Sequence, residues 1–149
     1  MKDSSENLLD LIHTVMHEYR SVQYRFLRNG PHDITHMDGK VLEFFASRPG
    51  ATHGDLVAHS GRDKAQLARL VKGLRERGLL HGEVDAADRR SVRLSLTASG
   101  KEVCATLRQQ AKRLSKKAVA GLSATEEEQL KILLRKVRSN LGATETPES

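Results

Sequence analysis

The sequence predicts a mainly α (α+β) fold, and three observations predict it. Apolar residues recur at helical spacing over most of the 149-residue chain. Near the middle, two short helical stretches are separated by a turn at Ser60-Gly61. After them, Leu79 to Leu96 switches to the two-residue alternation of strands, on either side of a polar tip. Two capped helices, a glycine turn and a hairpin together describe a helix-turn-helix with a wing. The expected plan is a single domain over 1–149. It has a winged helix-turn-helix lobe at 35–97, dimerisation helices at 7–30 and 98–142, and a flexible tail at 143–149.

Each element has its own local signal. Leu8, Ile12, Val15, Tyr19, Val22 and Phe26 recur at steps of four and three, a heptad seam on a helix over 7–28 that Gly30-Pro31 ends. A second helix spans Thr35 to Arg48, turns Val41, Leu42 and Phe45 inward and stops at Pro49-Gly50. Thr52 and Asp55 cap a short helix through Leu56 and Val57. Asp63 and Gln66 form the capping pair of the next, which places Leu67, Leu70, Val71 and Leu74 on one face and ends at Gly78. Leu79 to Val84 is a strand, and residues 85–90 are the hairpin tip. In the return strand Val92, Leu94 and Leu96 point one way, with Ser91, Arg93 and Ser95 pointing the other. Beyond Thr97, Val103, Leu107, Ala111, Leu114 and Ala118 stripe another helix. Ser123 with Glu126 caps the last one, whose seam is Leu130, Leu134, Val137 and Leu141. The outer helices carry more apolar surface than one small lobe can cover. A twofold dimer that intertwines both chain ends is the expected solution, with a bundle inside one subunit as the alternative.

The face opposite the apolar stripe of the 63–77 helix carries Ala65, Arg69 and Lys72, flanked by Gln66 and Ala68. A face meant only for solubility would more often mix Glu with Lys. Here small residues permit close approach, Gln and Arg each make paired hydrogen bonds, and alanine methyls suit thymine methyls, as a major-groove helix requires. Gln66 and Arg69 are the candidates for base edges. Lys64 and Lys72 are candidates for phosphate, as are Thr52 and His53 at the start of the preceding helix. Charge agrees: residues 62–101 hold ten Lys or Arg against five Asp or Glu, a surplus of five in a chain whose net charge is +6.

From Lys64 through Gly78-Leu79, Asp85-Ala86-Ala87-Asp88-Arg89-Arg90 and Leu94-Ser95-Leu96-Thr97-Ala98-Ser99-Gly100, the chain resembles the MarR family of winged-helix transcriptional regulators. The resemblance extends from about Leu8 to Leu141 and is most specific in the wing. It implies that Arg90 enters a minor groove and that Asp88 holds it, with Arg89 and Arg93 as backbone contacts. Exposed ion pairs contribute only about 0–1 kcal/mol, so stability alone hardly accounts for this tip, whereas arginine in a narrow minor groove does. Ala65 and Ala68 stand where the family commonly has Ser or Thr, so those positions offer no hydroxyl to phosphate. The resemblance further implies a repressor on a pseudo-palindromic operator in double-stranded DNA. A small anionic, often phenolic, ligand would sit between the dimerisation helices and the DNA lobe, respacing the recognition helices. Candidate lining residues are Tyr19, Arg20, Tyr24, Met37 and Lys40, for which core packing (Tyr19) and solvent exposure (the others) are the plainer reading.

Other classes receive less support. No apolar run approaches the ~20 residues of a membrane span, and the polar start, Met1 to Glu6, is not a secretory signal. One cysteine forms no intramolecular disulfide and fits a reducing cytoplasm. Cys104 is a candidate redox switch, with a buried inert thiol as the simpler reading. His13 with His17, and His32 with His36, have chelating spacings, yet no CxxC or HExxH accompanies them, so no metal or cofactor is expected. Neither a phosphate loop nor a nucleophile motif is present, so an enzyme is not expected. The remaining alternatives are a winged helix that binds protein and a metal- or thiol-responsive sensor.

Overall fold

The computed structural model describes residues 6–28, 30 and 33–144, apart from the side chains of Phe26 and Thr144. Six α-helices and three short strands follow one another among the described residues: α1 (Leu8–Arg28), α2 (His36–Ser47), β1 (Ala51–Thr52), α3 (His53–Ser60), α4 (Lys64–Glu76), β2 (Leu80–Val84), β3 (Val92–Leu96), α5 (Ala98–Ala118) and α6 (Ala124–Thr144). Fold class and element order agree with the sequence reading. The strand β1 is additional. It pairs with β3, giving an antiparallel sheet in the order β1-β3-β2, with Ala51 opposite Leu94 and Leu80 opposite Leu96.

The chain forms two compact units, one ending at Lys112 and one beginning at Arg113. The division falls inside α5. Val103, Cys104 and Leu107 are buried in the same cluster as Ile34, Leu42, Phe45, Leu67, Leu74, Leu79 and Leu94. The first half of α5 thus completes the core of the winged-helix unit. Gln23 of α1 adds a buried tie, donating from Nε2 to the Leu107 carbonyl at 3.3 Å. Tyr24 of α1 also packs into this unit, and Gly39 is the reason it fits: a Cβ there would collide with the phenol oxygen.

Caps set the helix starts. In α2, the Asp38 amide donates to Thr35 Oγ1 and the Thr35 amide to Asp38 Oδ2, both at 3.1 Å. The same reciprocal box joins Thr52 and Asp55 at α3, and Gly61, left-handed at φ 65°, closes α3. At α4, Asp63 accepts from Ala65 N–H at 3.0 Å, an Asx turn in place of the expected reciprocal pair with Gln66.

In the second unit, Ser123 and Glu126 form the predicted box at the start of α6. This helix runs to Thr144, two residues into the stretch expected to be tail; residues 145–149 lie outside the described ones. Leu130, Ile132, Leu133, Leu134 and Leu141 of α6 are exposed, and so are Leu8, Leu9, Leu11, Val15, Met16 and Val22 of α1. Each helix taken alone leaves an apolar face in water.

Candidate nucleic-acid interface

Helix α4 has two faces of opposite character. Leu67, Val71 and Leu74 are buried, and Leu70 is half-buried. Lys64, Ala65, Gln66, Ala68, Arg69 and Lys72 are all exposed, as the sequence predicts for a presented face. Full burial of a leucine is worth roughly 1.5–3 kcal/mol, so the inward stripe fixes the rotation of the helix and leaves its polar face free. The Arg69 guanidinium reaches back toward its own helix, 3.5 Å from the Ala65 carbonyl.

The hairpin between β2 and β3 has a tip built by aspartates acting on main chain. Asp85 Oδ1 accepts from Ala87 N–H and Asp88 Oδ1 from Arg90 N–H, each at 3.0 Å. Asp88 therefore braces Arg90 through its amide, leaving the guanidinium exposed and unpaired. The pairing carboxylate in the wing is Asp85, which takes Arg93 Nε at 3.1 Å and NH2 at 3.0 Å. Arg93 also donates from NH1 to the Gly50 carbonyl at 3.1 Å, so it ties the hairpin to the loop before β1. The Asp85 carboxyl lies below its ordinary pKa, first through the Ala87 amide and then through Arg93.

Thr52 uses both its amide and its hydroxyl in the α3 cap. The Asp55 carboxyl of this cap lies below its ordinary pKa, chiefly because the Thr52 amide donates to it. His53, directly after, is half-buried and its Nε2 is enclosed without a hydrogen-bond partner. Among the described residues, Lys64, Arg69, Lys72, Arg75, Arg89 and Arg90 have no ion-pair partner. This is a positively charged band across α4 and the wing, a surface suited to a polyanion. Arg75 is a member that the sequence reading passed over.

A cavity of about 770 Å³ lies beside α2, lined among others by Tyr24, Met37, Lys40, Glu43, Arg48 and Arg62. It takes in Tyr24, Met37 and Lys40 of the predicted ligand set; Tyr19 and Arg20 do not line it. Tyr24 meets His36 edge-on, with ring centroids 5.4 Å apart. Burial, with help from Glu43, pushes the Tyr24 phenol up to about 12. Burial, then Arg20, Lys40 and Arg62, lowers the pKa of His36. Both rings are therefore held neutral near pH 7.

Cys104 is 2% exposed. Burial, followed by the Glu43 carboxylate, pushes its thiol up to about 11, and the cation opposing that shift is Arg108. Such a thiol is almost wholly protonated at pH 7 and a poor nucleophile, which agrees with the simpler reading of this residue. His13 and His17 are both exposed, and His32 lies outside the described residues. No helix among the described residues is long and apolar enough to cross a membrane.

Two capped helices around a glycine turn, set on a core closed by a three-stranded sheet with a projecting hairpin, define a winged-helix regulator. The comparisons with known proteins give the family. The MarR family model matches residues 32–91. Transcriptional regulator HosA of Escherichia coli is 32% identical over 96 residues, 64% of this chain and 71% of HosA. Apo wild-type MarR from E. coli superposes with a TM-score of 0.74 at 27% identity, covering 91% of this chain and 98% of that one. The S. aureus MepR–DNA complex gives 0.72 at 25%, covering 93% and 99%. The chain belongs to the MarR family of winged-helix transcriptional regulators.

Proposed function

We propose that this protein is a homodimeric, sequence-specific DNA-binding regulator of the cytoplasm, a repressor that a small anionic or phenolic ligand releases from its operator. The observation that carries the reading is the exposed set on α4 and the wing, Gln66, Arg69, Lys72 and Arg90, whose cations have no ion-pair partner among the described residues. Gln66 and Arg69 read base edges in a major groove, and Arg90 enters the neighbouring minor groove. MepR, similar in fold across nearly all of its length, is a protein with a DNA complex. The large apolar residues exposed along α1 and, separately, along α6 support a dimer, since such surface is ordinarily covered by a partner. Two copies would address operator half-sites about 34–36 Å apart.

The cavity beside α2 suits an effector, for Lys40 and Arg62 offer charge while Tyr24 offers a ring and a neutral hydroxyl. A ligand there changes operator affinity only by its preference between dimer geometries. The test is fluorescence anisotropy on a duplex that the protein selects from a random pool, with size measured by light scattering. Binding should weaken with salt, with a log–log slope of about −0.9 per phosphate neutralised. Arg69→Ala and Arg90→Ala should each weaken the selected duplex by about fivefold or more, as loss of about 1–3 kcal/mol per base contact implies, with dimer mass unchanged. A monomer, or a protein indifferent to duplex DNA at low salt, refutes the reading.

A further inference from the structure

Where α4 meets the wing there are two adjoining clefts, of about 470 and 400 Å³, and His53, Val71 and Arg75 line both. Ala68, Lys72 and Glu76 of α4 complete one; Thr52, Gly54, Arg90, Ser91, Val92 and Leu94 complete the other. Lys72, Arg75 and Arg90 are the cations, none with an ion-pair partner among the described residues, and Glu76 is the single carboxylate.

Arg75 holds a defined place. A Cβ on Gly82 would lie 2.8 Å from Arg75 NH2 and 2.9 Å from its Cζ, so the guanidinium lies against the backbone of β2. Any side chain at Gly82 would displace it. A glycine inside a strand weakens the strand, and a close approach of another group is its usual reason. Here two groups approach: the Arg75 guanidinium, brought from α4 to the foot of the wing, and Val92 Cγ1, which would also lie 2.8 Å from such a Cβ.

From this we infer that the α4–wing junction is a seat for one DNA phosphodiester, with Arg75 as its principal cation and Lys72, Arg90 and His53 around it. The inference rests on the DNA-binding reading above. If α4 occupies a major groove and the wing the adjacent minor groove, the sugar-phosphate strand dividing those grooves must cross between them, over this junction. A phosphate oxygen there would also give the enclosed, unpartnered His53 Nε2 a partner once the ring turns toward it. Phosphate contacts set register without reading sequence, so Arg75 would act on every duplex alike.

The experiment is a salt titration of Arg75→Gln and Arg75→Lys on two probes, the selected duplex and a scrambled duplex of equal length. Arg75→Gln should lower the magnitude of the log–log salt slope by about 1 per subunit and weaken both duplexes by the same factor. Arg75→Lys should restore most of the slope. Arg75 is exposed, so the fold should survive, and unchanged thermal unfolding checks that. If wild type binds the selected duplex and Arg75→Gln keeps the full slope, the seat is wrong while the functional reading stands. Weakening of the selected duplex alone would make Arg75 a base reader and also overturn the seat. If wild type binds no duplex, both fail.

Discussion

Two aspartate–arginine pairs, Asp38–Arg77 and Asp85–Arg93, use the same chemistry in opposite settings. At the first, Arg77 NH2 lies 3.2 Å from Asp38 Oδ2, with the two side chains 32% and 6% exposed. That oxygen also accepts the Thr35 amide that starts α2. Arg77 follows α4 and donates from Nε to the Gly73 carbonyl at 3.2 Å, and its NH1 is 3.5 Å from the Asp33 carbonyl. One buried carboxylate therefore joins the beginning of α2 to the end of α4. At the second, Arg93 and Asp85 are 56% and 17% exposed, and the pair tethers a hairpin tip surrounded by water. The contrast teaches that charge pairing holds α4 in the core where desolvation makes a broken pair expensive. In the wing it only restrains an exposed hairpin.

Breaking the first pair should have the largest effect. Asp38→Ala removes the carboxylate shared by the Thr35 amide and Arg77, so it takes away half of the α2 capping box and breaks the ion pair. Full burial would make this cost 3–5 kcal/mol, and the part-exposed guanidinium reduces that to roughly 2–3 kcal/mol. Urea unfolding should show it as a lower midpoint with an unchanged slope. Arg77→Ala combined with Asp38→Ala should cost less than the sum of the single changes, and strict additivity would mean that the pair is not coupled.

Next in size is the second pair. Arg93→Ala should leave the unfolding midpoint nearly unmoved but speed amide exchange at Asp85 and Ser91, where the hairpin closes through Asp85 N–H on the Ser91 carbonyl at 2.9 Å. Equal loss of global stability in Arg93→Ala and Arg77→Ala would erase the comparison.

The smallest effect is in the pH dependence of the tip. The folded Asp85 carboxyl has a pKa below its ordinary 3.8, so its contribution is complete above that value and disappears as pH falls through the lower folded one. Amide shifts of Ala87, followed by NMR from pH 6 downward, should therefore stay flat through about pH 4 and move only below it. Movement centred at or above the ordinary value would show that the tip is not braced by this carboxylate.

Much of the interface was legible in the chain. The Thr52–Asp55 cap, Asp63 as the residue that starts α4, the exposure of Gln66 and Arg69, and the hairpin at 85–90 follow from signals spanning four to six residues. Three features were not. The pair β1–β3 involves two residues, too few to display alternation, and exists only because β3 supplies a partner. Arg93 has the same period-two placement as any outward strand residue, and nothing local assigns it to Asp85 and Gly50. Arg75 reads as a helix-terminal cation, although Gly82 inside a predicted strand was a usable sign of close approach.

The chain alone determined where most helices begin, which faces are apolar, and that the positive charge gathers around α4 and the hairpin. Those properties arise from sterics, caps and periodicity among near neighbours in sequence. Only tertiary structure decided that Asp38 would hold Arg77, that Gly82 would make room for Arg75, and that the first half of α5 would close the lobe's core. Each of these depends on segments distant in sequence meeting at one point, and the free energy that selects the meeting is burial and desolvation shared across the folded unit.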